Sequence, residues 1–161
     1  MRLLIPSKWE RFYLGSLPSS FLQEVYFMIE LTNTVAQVIQ PGQAVTFDRV
    51  LVHTGCGECR RMGMPFVKLR TRGTYEINFS GNISGAVAGT PVQLAIALGG
   101  VGLPETVMEY TPSVANSFGN VGTGTFVREC CEGCDQITVI NTGTVAVTLS
   151  ANMNLRIKRL S

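Results

Sequence analysis

The sequence predicts an all-β protein in which two antiparallel sheets stack face to face, and three observations carry that prediction. Near the carboxyl end, Val145, Val147, Leu149, Ala151, Met153, Leu155 and Ile157 hold every odd position, while Thr148, Ser150, Asn152, Asn154, Arg156 and Lys158 fill even ones. A helix would scatter that set around its axis, whereas a strand gathers it on one face. In "GTYEINFSGNIS" the same alternation sets Tyr75, Ile77 and Phe79 against Thr74, Glu76 and Asn78. Between such runs stand clusters rich in glycine, proline, asparagine and serine, at "QPGQ", "RTRG", "ISGAVAGTP", "GGVGLPE", "SFGNVGTG" and "INTGTV"; sandwich proteins space their turns in this way.

Taken in order, residues 1–30 show no clean period. The stretch "WERFYLGSLPSSFLQEVYF" holds the only tryptophan and several other aromatics, and it reads as an amino-terminal arm that docks on a partner. It also reads as a mis-called start, because Gln23, Glu24 and Val25 can be encoded by a purine-rich ribosome-binding sequence just ahead of the Met28 codon. The apolar run Leu3–Pro6 in "MRLLIPSKWERF" falls short of the roughly 7–15 residues of a secretory signal, so export by the general route is not expected. Residues 31–161 form the sandwich domain. Its strands are expected near Val35–Ile39, Val45–Val52, Phe66–Leu69, Thr74–Ser84, Val92–Leu98, Thr106–Thr111 and Gly124–Glu129, and from Gln136 to Ile157 with an interruption. Packing two sheets is the economical way to bury their apolar faces.

The totals narrow the function classes. A chain of 161 residues holds one domain, and a domain near this size buries roughly 68–70% of its unfolded surface. Thirteen Lys and Arg against eleven Asp and Glu leave a net charge of +2, too near neutral for a nucleic-acid binder. No charged residue occurs between Glu76 and Glu105, but Gly81, Gly85, Gly89, Pro91, Gly99 and Gly100 interrupt that stretch, which excludes a membrane helix. The partner is then a protein, a carbohydrate or another copy of the chain. In "PVQLAIALGG" the residues Gln93, Ala95 and Ala97 make a flat, uncharged second face, expected to be bare until a neighbouring subunit covers it.

These residues resemble a known family. "GTYEINFSGNIS" looks like the glycine-x-tyrosine-x-hydrophobic-x-phenylalanine strand of the tumour necrosis factor and complement globular-head jelly rolls. "CDQITVINTG" sits where those domains have a late turn and its following strand, with Asp135 and Gln136 matching a Gly-Asp-Gln type of turn. "TNTVAQVIQPGQAVTFDRV" and "SANMNLRIKRL" are similar to the first and last strands of the prokaryotic and phage branch, which includes the heads of spore-surface filaments. The resemblance covers Leu31–Ser161 and rests on the order of the motifs. It implies a jelly-roll sandwich, assembly as a homotrimer and no catalysis. The short loops depart from the vertebrate cytokines, which argues against receptor signalling.

The cysteines are the chemically pointed residues. "CGEC" holds Cys56 and Cys59, "CEGC" holds Cys131 and Cys134, and Cys130 makes the total of five odd. Two C-x-x-C units have the spacing of a tetrahedral zinc site, with Gly57 and Gly133 easing each loop around an ion. A structural zinc, disulfides within or between the loops, and free thiols in turns all remain open, because the two loops of a sandwich need not meet at one end. A thiol-rich chain suits synthesis in a reducing compartment. His53, the only histidine, lies three residues before Cys56; it is a fifth candidate ligand but reads mainly as a polar strand-end residue, and a Cys–His nucleophilic pair lacks an orienting acid. Arg60, Arg61, Lys68, Arg70 and Arg72 form a basic cluster that reads as solvated. Glu105 and Glu109 are expected on one face of a strand, without the look of an acid–base pair, and Asp48, Glu76 and Asp135 show no calcium-loop spacing.

The reading that follows is a non-enzymatic, trimeric head that needs no cofactor beyond a candidate structural zinc. It serves as a structural or decorating protein of a phage or prophage particle: made in the bacterial cytoplasm, located in the virion, and attached to a larger assembly, with a host glycan as a further candidate partner. The alternative is a bacterial surface or spore-coat adhesin, or carbohydrate-binding, head. Neither nucleic acid nor membrane is expected as a partner.

Overall fold

The alternating runs become the walls of a two-sheet sandwich. The computed structural model describes residues 27–55, 65–130 and 135–161, together with the backbone of 58–59. In chain order the strands are β1 Met28–Thr32, β2 Gln37–Ile39, β3 Arg49–Thr54, β4 Glu58–Cys59, β5 Val67–Leu69, β6 Gly73–Ser84, β7 Val92–Leu98 and β8 Val101–Gly102. After a short 3-10 turn at Pro104–Thr106 come β9 Met108–Tyr110, β10 Phe118–Glu129, β11 Gln136–Ile140, β12 Val147–Leu149 and β13 Asn154–Arg159. The seven-stranded sheet runs β2-β12-β6-β13-β1-β3, with β10 on the other side of β6; the six-stranded sheet runs β4-β5-β11-β7-β8, with β9 also pairing β7. The pairings are antiparallel.

The core lies between the two walls. From the seven-stranded sheet Tyr75, Ile77, Phe79, Ile83, Val147, Leu149, Leu155 and Ile157 point inward, and Val92, Leu94, Ile96, Ile137 and Val139 meet them from the other. The odd-numbered apolar set near the carboxyl end therefore lies on the buried side, as its alternation requires. It is divided between β12 and β13 by a turn in which Asn152 adopts φ 64°, a conformation that asparagine tolerates. The turn is held from below by Asn33, whose Oδ1 accepts the Met153 amide at 3.2 Å and whose Nδ2 donates to Ser150 O at 3.2 Å.

Several elements differ from expectation, and four of the differences matter most. β1 starts at Met28, with Phe27 and Ile29 already in the core, ahead of the Leu31 at which the sequence reading opens the domain. The expected strand Val45–Val52 is split because the chain changes sheets there. Its first part follows β11, through Asn141 N to Gln43 O and Val45 N to Val139 O, and its second part is β3, beside β1. The expected strand from Thr106 begins only at Met108, because Thr106 lies in the 3-10 turn, where its hydroxyl donates to Leu103 O and accepts the Ile96 amide. Finally β10, expected from Gly124, extends back to Phe118 through a stretch that reads as a turn.

Candidate functional site

Two regions invite function: the outer face and edge that β10 gives the seven-stranded sheet, and the described residues that flank the two cysteine motifs.

The face expected to be bare is covered. Ala95 and Ala97 are fully buried within the chain itself. Their neighbours in register are Ile140 and Thr138 on β11 and, for Ala97, Gly102 on β8; the Gly102 backbone closes in so far that a Cβ there would meet Ile140, Thr142 and Ala95. The sequence signal was therefore correct about smallness and wrong about its cause. Small side chains suit a return strand, β8, that pairs closely beside β7.

The bare apolar surface lies instead on β10. This strand pairs along its whole length with β6 and, among the described residues, with no further strand, and from Phe118 to Val127 it carries no charge. Phe118 and Phe126 are 50% and 67% exposed. Both belong to the outward set of the sheet. Phe126 stands opposite Glu76, Glu76 opposite Lys158, and Lys158 opposite Met28, in one row across four strands. In the parallel row Arg156 faces both Asn78 and Glu30, and Asn154 Nδ2 donates to Glu30 Oε1 at 2.6 Å. The face is thus polar at its centre, where residues of opposite charge are register neighbours, with aromatic side chains at the edge.

Of the cysteines, Cys56, Cys131 and Cys134 lie outside the described residues, and Cys59 is described by its backbone in β4. Cys130 is a free, exposed cysteine just after β10. Among the described residues no group of three or more His, Cys, Asp or Glu stands together as a metal site. Glu129, 2% exposed, accepts the Asp135 amide at 3.2 Å and so ties the two ends of the segment that contains the second cysteine pair. Asp135 O in turn accepts the Leu69 amide at 3.0 Å. His53 lies exposed on β3, opposite Ile29. Of the basic cluster, Arg60 and Arg61 lie outside the described residues, Lys68 is half-buried in β5, and Arg70 and Arg72 are exposed.

The carboxylates are dispersed. Glu105 sits in the 3-10 turn and Glu109 in β9, so they do not share a strand face as expected; Glu109 accepts Gln93 Nε2 at 2.6 Å. Asp48 accepts three bonds from Thr34, two from the amide at 2.9 and 3.1 Å and one from the hydroxyl at 2.6 Å. The Thr34 hydroxyl foremost, then its amide, holds the Asp48 carboxyl below the usual range, with Arg49 adding a smaller pull. Sequence reasoning did not single out Thr34, and only its place in a turn before a buried run could have suggested the contact.

No family model and no curated protein matches the chain. Solved structures do. The chain is similar to murine APRIL at pH 5.0, with 17% identity and a TM-score of 0.62 over 84% of this chain and 99% of that one. It is similar to the globular domain of zebrafish complement 1qA protein, with 12% identity and a TM-score of 0.60 over 82% of this chain and 94% of that one. It also matches the Eiger TNF of S. frugiperda, with 10% identity and a TM-score of 0.62 over 84% and 93%. At such identities the likeness is one of fold, and the chain has the two-sheet jelly-roll sandwich of tumour necrosis factor-like and complement globular domains.

Proposed function

We propose that this protein is a non-enzymatic attachment head that assembles as a homotrimer and serves as a structural or decorating component of a phage or prophage particle. The observation that carries the reading is β10: a 12-residue edge strand, uncharged from Phe118 to Val127, with two exposed phenylalanines. Monomeric proteins protect long sheet edges with lysine, proline or charge. A closed ring of identical copies covers such an edge by symmetry. The jelly-roll fold supports the same reading. The similarity of the first and last strands to those of the prokaryotic and phage branch supports the particle as the larger assembly.

The test is the mass of the native protein by size-exclusion chromatography with light scattering at micromolar concentration. A species of three times the 17.5 kDa chain mass is expected, and a monomer overturns the reading. For the particle, the chain should be present in purified virions or induced prophage particles and should remain with them through a density gradient.

A further inference from the structure

Charge is unevenly spread over the seven-stranded sheet. β10 is uncharged from Phe118 to Val127 and then ends on Arg128 and Glu129, beside the start of β6. There a cleft of about 420 Å³ is lined chiefly by Arg72, Gly73, Thr74, Arg128, Glu129 and Ser161. Clefts that take small ligands run from roughly 300 to 1,000 Å³.

Register brings the two arginines of this cleft together. Arg128 stands opposite Thr74 and Glu129 opposite Gly73, so Arg72, the residue before Gly73, is the diagonal neighbour of Arg128. Diagonal neighbours on adjacent strands are about 7–8 Å apart, within reach of long side chains. Both arginines are exposed. The backbone beneath them is held in place: Arg72 O accepts Arg159 Nη2 at 2.7 Å, while Ser161 O accepts Arg159 Nε at 3.0 Å and the Thr74 amide at 3.3 Å. Gly73 permits this arrangement, because it adopts φ 152° and a Cβ there would collide with Ser161 O and Arg159 Nε. The Arg159 guanidinium thereby adds a third positive charge at the margin of the cleft.

The nearby carboxylate does not cancel that charge. Glu129 is 2% exposed and accepts the Asp135 amide at 3.2 Å, so the charged side chains that the cleft presents to solvent are the arginines. Like charges brought together across strands are destabilising, and an anion between them offsets the repulsion. A phosphate or sulfate group suits the position, because each guanidinium offers it two parallel N–H donors. The hydroxyl of Thr74, opposite Arg128, is a further donor.

We propose that this cleft binds a phosphate or sulfate group, held between the Arg72 and Arg128 guanidinium groups over the Gly73–Thr74 backbone. The site is made by one chain and does not rest on the assembly proposed above. Its chemistry is the same for a free ion and for an ester carried on a larger molecule such as a sugar.

The full chain in chloride buffer is titrated in a calorimeter with inorganic phosphate and, separately, with glucose 6-phosphate, at constant ionic strength. Saturable binding of one phosphate group per chain is expected, with a rise in melting temperature that chloride at equal ionic strength does not reproduce. Tighter binding of glucose 6-phosphate identifies an ester as the source and equal or weaker binding identifies the free ion; both uphold the site. Arg72→Ala with Arg128→Ala is expected to weaken binding by about tenfold or more. Arg128→Lys, which keeps the charge but loses the paired donors, should weaken it less, and Arg70→Ala, outside the cleft lining, should leave it unchanged. No binding of either anion, a stabilisation that chloride matches, or a double variant that binds as tightly as the unaltered chain overturns the proposal. Should the double variant fail to fold by circular dichroism, Arg128→Lys decides: weaker binding upholds the site, and unchanged binding overturns it.

Discussion

The ring of Phe27 stands edge-on to that of Tyr75, with centroids 6.0 Å apart and planes at 74°, so the residue just ahead of β1 is locked to the first inward side chain of β6. The backbone repeats the lock, since Arg159 N donates to Phe27 O at 3.0 Å. Phe27 is fully buried, and an aromatic-to-alanine change in a core costs about 3–5 kcal/mol. Phe27→Ala is therefore expected to lower the urea midpoint by that free energy without changing the slope. Tyr75→Phe keeps the ring but strips the hydroxyl from Thr71 O, at 2.7 Å, and should cost about 1 kcal/mol.

Asn141 is the hinge of the "INTGTV" turn, and all of its polar atoms are used. Nδ2 donates to Ile39 O at 2.9 Å and to Val145 O at 2.8 Å, while Oδ1 accepts the Gly143 amide at 2.8 Å. The side chain is buried, so removing it leaves backbone groups without partners, each worth about 1–3 kcal/mol. Asn141→Ala is expected to lose more than about 2 kcal/mol in chemical denaturation. A loss of only a few tenths would mean that water takes over those bonds.

The glycines of β10 should not be equivalent. A Cβ on Gly119 would occupy the space of the Tyr110 ring, and one on Gly124 would collide with Asn78 Oδ1, whereas at Gly122 the nearest atom, Phe79 O, is 3.4 Å away. Gly119→Ala forces the ring to move and is expected to cost about 1–3 kcal/mol. Gly122→Ala should be close to neutral. Paired thermal unfolding of the two variants measures the difference, and equal costs would mean that Tyr110 yields freely.

Those glycines also explain what the sequence concealed. The walls of the sandwich were legible because burial imposes strict alternation, as in Tyr75, Ile77 and Phe79 or Leu155 and Ile157. β10 was half hidden because Gly119, Gly122 and Gly124 look like turn residues, yet glycine inside a strand also marks a close approach by another group, here Tyr110 and Asn78. The Ala95–Ala97 face misled for a related reason: small residues accommodate a strand of the same chain as readily as a neighbouring subunit. The spacing of the cysteine pairs was plain in the sequence, but the placing of β4 and β11 on either side of β5 was not, because strand order is a non-local fact.

Asp48 gives a pH signature. Its folded carboxyl is held below its ordinary range, chiefly by the Thr34 hydroxyl and then by the Thr34 amide. A depressed acid contributes stability above its unfolded value, and that contribution is lost as pH falls through the lowered folded value. The loss therefore belongs below about pH 4. Asp48→Asn should flatten the fall in melting temperature over that window relative to the unaltered chain. Thr34→Ala should act in the same direction, and unchanged acid profiles in both variants would exclude the contact as a source of stability.

The edge strand supplies the decisive test of assembly. Phe126 stands in register with Glu76, and Glu76 with Lys158, so a carboxylate placed at position 126 would bring a second negative charge beside Glu76 and put a charge into any surface that seals β10. Buried unpaired charge is among the costliest errors at an interface. Phe126→Asp combined with Phe118→Asp is expected to turn the proposed trimer into a monomer in light scattering while leaving the far-ultraviolet circular dichroism unchanged, because both side chains are already exposed within the single chain. Val101→Asp, at a position 71% exposed on β8 of the other sheet, should leave the proposed trimer intact. If the double variant remains trimeric, β10 is not the contact and the copies meet through another face.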